Sequence, residues 1–271
     1  MRLATVPRAV SEVRPRARSV VIPSEHGGWG LTAEPIALGL LLAFSWAGVA
    51  VGAVALLSFL TRTPVKLALV DHRRGRDLER TELARRVASV ELVAIAFSAA
   101  VALVLAGPAW LVPIGVAAPL FAVELWFDAR SRGRRLTPEL AGAVGMSSVV
   151  AAIVVAGGGA WALAVAAWLL LAARSSGAIP FIRIQIARLH QRPSGPSVSD
   201  RFQLLALVLA VSAWIVEPDV VAGSVLVAAV AGLHVWWVRR SPVPPAKVLG
   251  LRQAALGAAL VIVTALGVHL S

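Results

Sequence analysis

The chain of 271 residues contains no cysteine. Disulfides, thiolate metal sites, covalent haem attachment and thiol nucleophiles are therefore excluded. Lysine is scarce too, with only Lys66 and Lys247, so the basic content is nearly all arginine. With the heavy use of Ala, Val and Leu, that bias reads as the coding habit of a high-GC bacterium. No stretch has the look of a soluble domain, a low-complexity tract or an exact repeat. Residues 1–29 hold no continuous apolar run before His26, so no signal peptide is expected and the first span is expected to act as the targeting signal. The histidines His26, His72, His190, His234 and His269 form no i,i+4 pair. They give a haem or histidine metal site no support.

Basic residues are also missing from every second turn, and this absence is the most informative. Apolar runs of spanning length fall near 30–47, 48–66, 87–106, 109–127, 139–156, 160–180, 201–216, 220–238 and 251–270. The turns at Gly107-Pro108, Gly157-Gly158-Gly159 and Glu217-Pro218-Asp219 carry no Lys or Arg. All 26 basic residues lie in the N-terminal arm and in the segments 62–86, 128–138, 174–201 and 239–252. Nine spans put every one of them on the same side. The positive-inside rule makes that side cytoplasmic, with the N-terminus inside and the C-terminus outside.

Composition agrees: 58% of residues are hydrophobic and the mean hydropathy is +0.81. The expected fold class is an all-α polytopic helix bundle with about nine transmembrane helices. Residues 1–21, rich in Arg and Pro and without periodicity, read as a disordered basic cytoplasmic arm. Residues 22–271 read as a single transmembrane domain in a bacterial inner membrane. The pI near 11.8 reflects topology and contacts to anionic headgroups, not nucleic acid.

Ionisable residues at membrane depth carry the functional argument, because a carboxylate there is disfavoured unless paired or wetted. Glu34, Glu124 and Glu139 are the costliest. Glu124 and Asp128 share a helix face four residues apart, and so do Arg62 and Lys66. Pairing those cations with Glu124 or Glu34 is expected, either as a lock on helix packing or as the wall of a polar cavity facing the cytoplasm. Asp71, Glu124, Asp128 and the Gly-flanked His26 are candidates for acid–base chemistry. Glu25, Arg62, Lys66, Arg174, Arg183 and Gln185 are candidates for substrate binding, since Arg pairs bidentately with phosphate. Asp71 and Asp77 could hold Mg²⁺ through water and a substrate phosphate. Gly177 and Pro180 are expected to kink or interrupt the sixth helix near the inner face.

The run Pro23-x-Glu-His-Gly-x-Trp-Gly30 resembles the YwiC-like family of bacterial membrane proteins. Arg62-x-Pro64 with Asp71, Phe127-Asp128-x-Arg130, Glu139-Leu-Ala-Gly142 and Gly177-Ala-Ile-Pro-Phe-x-Arg183 extend the likeness over nearly the whole chain. That family implies no assigned reaction. More distantly, the chain is similar to UbiA-type intramembrane prenyltransferases, which implies nine helices, the same orientation and a cavity open to the cytoplasm. Those enzymes hold Mg²⁺ and diphosphate with an Asn-Asp-x-x-Asp-type motif and an Asp-x-x-x-Asp motif. Here the first place offers Asp71 and Asp77 at a different spacing, and the second offers Arg174, Arg183 and Gln185.

Two functions follow as expectations. One is a UbiA-like enzyme or binder whose partner is a membrane lipid or isoprenoid diphosphate. The other is a transporter, or an accessory protein of a membrane complex, whose internal charges form a path or assembly contacts.

Overall fold

The computed structural model describes residues 26–75, 78–130 and 135–271, with only the backbone described at His26 and Ala129. Among the described residues nine α-helices follow one another without a strand. They are α1 (His26–Leu42), α2 (Trp46–Arg73), α3 (Glu79–Ala106), α4 (Leu111–Ala129), α5 (Leu136–Ala156), α6 (Trp161–Leu189), α7 (Ser197–Val216), α8 (Val221–Trp237) and α9 (Ala246–Leu270). A single 3₁₀ turn, Pro218–Val220, leads into α8. Eight of the helices, α2 to α9, are long and apolar enough to cross a membrane. The protein is a multi-pass membrane protein built as a helical bundle.

The exception is α1. Its 17 residues rise about 25 Å, less than a hydrocarbon core of about 30 Å. It is shorter than expected because the chain turns at 43–45, before the expected boundary at 47–48. There the Ser45 hydroxyl accepts from the Gly48 amide (2.8 Å) and caps α2. At their other ends α2 and α3 run beyond the apolar stretches, into the charged segment between them.

The helix α6 also departs from expectation. It continues unbroken through Gly177 and Pro180 to Leu189. Proline removes one backbone donor from a helix, and a neighbouring side chain can satisfy the carbonyls left open. The carbonyl that loses its donor to Pro180 is that of Ser176, four residues back, and at the next residue Gln203 of α7 donates from Nε2 to the Gly177 carbonyl (2.8 Å), tying α7 to α6 beside the proline. That close approach depends on glycine, since a Cβ at 177 would meet Gln203 Oε1 at 2.8 Å.

The centre of the bundle is α5 and α6, each with 72% of its spanning window buried, against 17% in α3 and 11% in α4. Val150, Ala151 and Val154 of α5 join Leu170, Leu171 and Ala173 of α6 in the main core, with α7 to α9 adding Ala210, Val227 and Leu260. Val90, Val93, Phe97 and Val104 of α3 face outward, as an apolar face in contact with lipid should. Side-chain contacts tie the basic helix ends together: Arg239 pairs with Asp200 (2.7 Å), and Arg188 donates to the Arg240 carbonyl (2.9 Å) and to Ser241 (3.1 Å). At the opposite end His269 meets the Leu41 carbonyl (2.8 Å). The helices therefore alternate in direction, with their basic ends on one side.

Candidate functional site

Three groups of polar side chains stand apart in the bundle. The first joins α2 to α4. Arg62 Nη1 lies 2.6 Å from Glu124 Oε1, its Nε donates to Asp128 Oδ2 (3.0 Å), and Lys66 reaches Asp128 Oδ1 (3.4 Å). The i,i+4 spacing on both helices makes this match possible, two cations against two carboxylates. Helix α5 closes over it at Gly142, where an added Cβ would overlap the Glu124 carboxylate. Glycine is required there for close approach, not for its backbone angles.

The second group joins α2 to α3. Asp71 is 2% exposed. Its carboxylate accepts from Thr81 Oγ1 (2.8 Å) and from Arg80 Nη2 (3.1 Å) and Nε (3.3 Å). These bonds bring the last turn of α2 onto the first turn of α3 across the intervening loop.

The third group lies among α1, α6, α8 and α9, and the sequence did not point to it as a unit. Arg174 sits 13 residues after the start of α6 and 15 before its end, about 20 Å from either. Its Nη2 donates to the Gln253 carbonyl (2.7 Å) and lies 3.6 Å from Glu34 Oε1. Gly257 gives that carboxylate room, since a Cβ there would overlap it. The Gln253 amide meets His234 Nε2 (2.9 Å), and His234 stacks on Phe181 with centroids 4.2 Å apart. His234 and Gln253 lie on different, largely apolar helices, and only tertiary packing brings them to Arg174.

Beside this third group opens a pocket of about 230 Å³ lined by Phe181, Gln185, Trp236, Trp237, Arg240 and Arg252, with Pro242, Pro244 and Leu249. Arg240 lies over the Trp236 ring at 4.4 Å and Arg252 over Trp237 at 5.1 Å. Gln185 donates to the Trp237 carbonyl (3.3 Å).

Residues 22–154 match the model of the family described as YwiC-like protein. Over those residues, a little under half of the chain, it is similar to that family. No curated protein matches, and no solved structure matches. The matched region ends in the last turn of α5, so it contains the Arg62–Glu124–Asp128 group and Asp71. Arg174, His234 and the pocket lie beyond it.

The structure thus distributes the predicted residues over several places. Arg62, Lys66, Glu124 and Asp128 come together, whereas Asp71 is engaged separately. Arg174 is buried with Glu34, and Gln185 lines the pocket. Arg183 pairs with Glu139 across α6 and α5 (2.7 Å). Glu25, the side chain of His26 and Asp77 lie outside the described residues. Among the described residues no group of three or more His, Asp or Glu could hold a metal ion. The carboxylates of Asp71 and Asp128 are matched by Arg80, Arg62 and Lys66.

Proposed function

We propose that the protein resides in a bacterial inner membrane and binds a phosphate-bearing lipid at its basic end, with that end in the cytoplasm. The pocket of about 230 Å³ between α6, α8 and α9 carries the reading. It sets the guanidinium groups of Arg240 and Arg252 beside the aromatic walls of Phe181, Trp236 and Trp237. A planar guanidinium pairs bidentately with a phosphate. Tryptophans favour the level of the headgroups, and an apolar wall suits the first methylenes of a chain. An isoprenoid diphosphate and a phospholipid offer the same recognisable chemistry. The sidedness rests on the 26 basic residues, whose segments alternate with turns that carry no Lys or Arg. No step is routed through Mg²⁺.

A second reading, a transporter, draws on one observation. The Glu34–Arg174 pair lies at the middle of α6, where ionisable residues mark transport paths in membrane proteins.

Native mass spectrometry of the full chain released from mild detergent tests the lipid reading. The wild type should retain a phosphate-bearing lipid, and the Arg240→Ala, Arg252→Ala double variant should lose it. Equal retention by both proteins would remove the pocket from the account.

A further inference from the structure

Behind the pocket, Phe181 stands between the lining and a buried polar group that lipid binding leaves unused. Its ring lies nearly parallel to His234, at 12°. Beyond that stack Arg174 keeps one close acceptor among the described residues, the Gln253 carbonyl. The 3.6 Å separation from Glu34 is too long for a hydrogen bond, so charge alone holds that pair. Arg174 Nε, His234 Nδ1 and Gln253 Oε1 are all buried and have no hydrogen-bond partner. Arg174 is 8% exposed and His234 1%. Buried polar atoms are nearly always bonded, and a guanidinium has five N–H groups to satisfy. Two donors of different residues left open around one buried cation point to an oxygen-bearing ligand.

The surroundings of Glu34 define its charge partners. Helix α6 faces it with Arg174, and α9 faces it with Gly257. Helices α2 and α5 meet α1 through apolar contacts, Gly52 against Ile36 and Gly39 against Ile153. Arg174 acts electrostatically on both Glu34 and His234.

We propose that Arg174 is an exchange site for a monoanionic phosphodiester, which displaces Glu34 from the guanidinium while Glu34 takes up one proton. The inference rests on the pocket reading for the route by which the anion arrives, and not for the exchange itself. Charge balance dictates the coupling. With Glu34 ionised the pair is neutral, and adding an anion alone would leave two negative charges against one buried cation, which low-dielectric surroundings penalise. One proton on the Glu34 carboxylate restores neutrality, and no covalent bond between heavy atoms forms or breaks. The proton comes from the water at the basic end and leaves with the anion.

The test uses the full chain in detergent, with dimethyl phosphate as a probe that keeps one negative charge at neutral pH. A pH indicator in weak buffer reports protons taken up per anion bound. The wild type should take up one proton per anion, and its affinity should fall about tenfold per pH unit over the coupled range. Glu34→Gln, close in shape and already neutral, should bind with no proton uptake and a flat pH profile. Arg174→Lys keeps the charge but loses the planar donor set, and should bind at least tenfold more weakly. Binding without proton uptake in the wild type, or uptake unchanged in Glu34→Gln, would overturn the exchange. Nanodiscs of phosphatidylglycerol against phosphatidylcholine distinguish the source. Uptake with phosphatidylglycerol alone assigns the site to a headgroup, uptake with dimethyl phosphate as well admits the free anion, and uptake with neither contradicts the inference. Loss of lipid retention in Arg240→Ala, Arg252→Ala with the dimethyl phosphate coupling intact would show that the pocket serves lipid without being the entry. Unchanged retention with coupling intact would sink the lipid reading and leave the exchange standing.

Discussion

Arg62 of α2 holds Glu124 of α4 in an ion pair between helices, 2.6 Å from Nη1 to Oε1. Asp128 shares the same guanidinium and is only 12% exposed in its side chain. Removing the arginine therefore strands two carboxylates that are mostly shielded from water. Arg62→Ala should lower stability by about 1–3 kcal/mol. That is less than a fully buried pair would cost, because Arg62 is partly solvated and Lys66 remains beside Asp128. Thermal unfolding in detergent measures it, and a melting temperature equal to wild type would mean the pair contributes nothing.

Gly142→Ala acts on the same group from the other side. The added methyl must displace the Glu124 carboxylate and disturb its bond to Arg62. The variant should be destabilised by about 1–3 kcal/mol as an overpacking change. Its effect should shrink when combined with Arg62→Ala, since the arrangement it disturbs is then already lost. Full additivity of the two changes in a double-mutant cycle would show that Gly142 is not coupled to the ion pair.

Asp71→Asn tests the join between α2 and α3. It keeps the shape but replaces one acceptor oxygen with a donor that faces Arg80 and Thr81. A loss of about 1–3 kcal/mol is expected for leaving such buried groups mismatched. Hydrogen exchange should quicken in the last turn of α2 and the first turn of α3, with α5 and α6 unaffected. Uniform loss of protection over the whole bundle would instead give Asp71 a global role.

Topology is open to a direct check. An alkaline phosphatase fused after residue 271 should be active, and fusions at the N-terminus or at residue 190 should be inactive. Activity at residue 190 would reverse the assignment of the basic end to the cytoplasm.

Much of the helix order was legible because run length and arginine blocks are local signals. The pairing of Arg62 with Glu124 was legible for a similar reason, since i,i+4 spacing places each set on one face, whereas Lys66 meets Asp128 and Glu34 lies near Arg174 instead. The break between α1 and α2 was harder to locate. Both sides of it are apolar, and only the hydroxyl of Ser45 marks the new helix. Unbroken passage of α6 through Pro180 has no mark in the local sequence, and the Gln203 bond to the Gly177 carbonyl that ties α7 to this stretch comes from another helix. His234 and Gln253 carry no periodic mark either, and their meeting with Arg174 arises from the packing of α6, α8 and α9. Arg183 illustrates the converse. Its sequence neighbourhood singled it out for anion binding, and the fold places Glu139 within hydrogen-bond distance of it.

The central claim is that Arg240 and Arg252 hold a lipid phosphate against the Trp236–Trp237 wall. Calorimetric titration of the full chain with a short-chain phosphatidic acid, and in parallel with a phosphatidylcholine of the same chain length, tests it most directly. The account predicts preferential binding of the phosphatidic acid, weakened by about 1–3 kcal/mol when either arginine is replaced by alanine. Equal affinity for the two lipids, unchanged in both alanine variants of a folded protein, would contradict it.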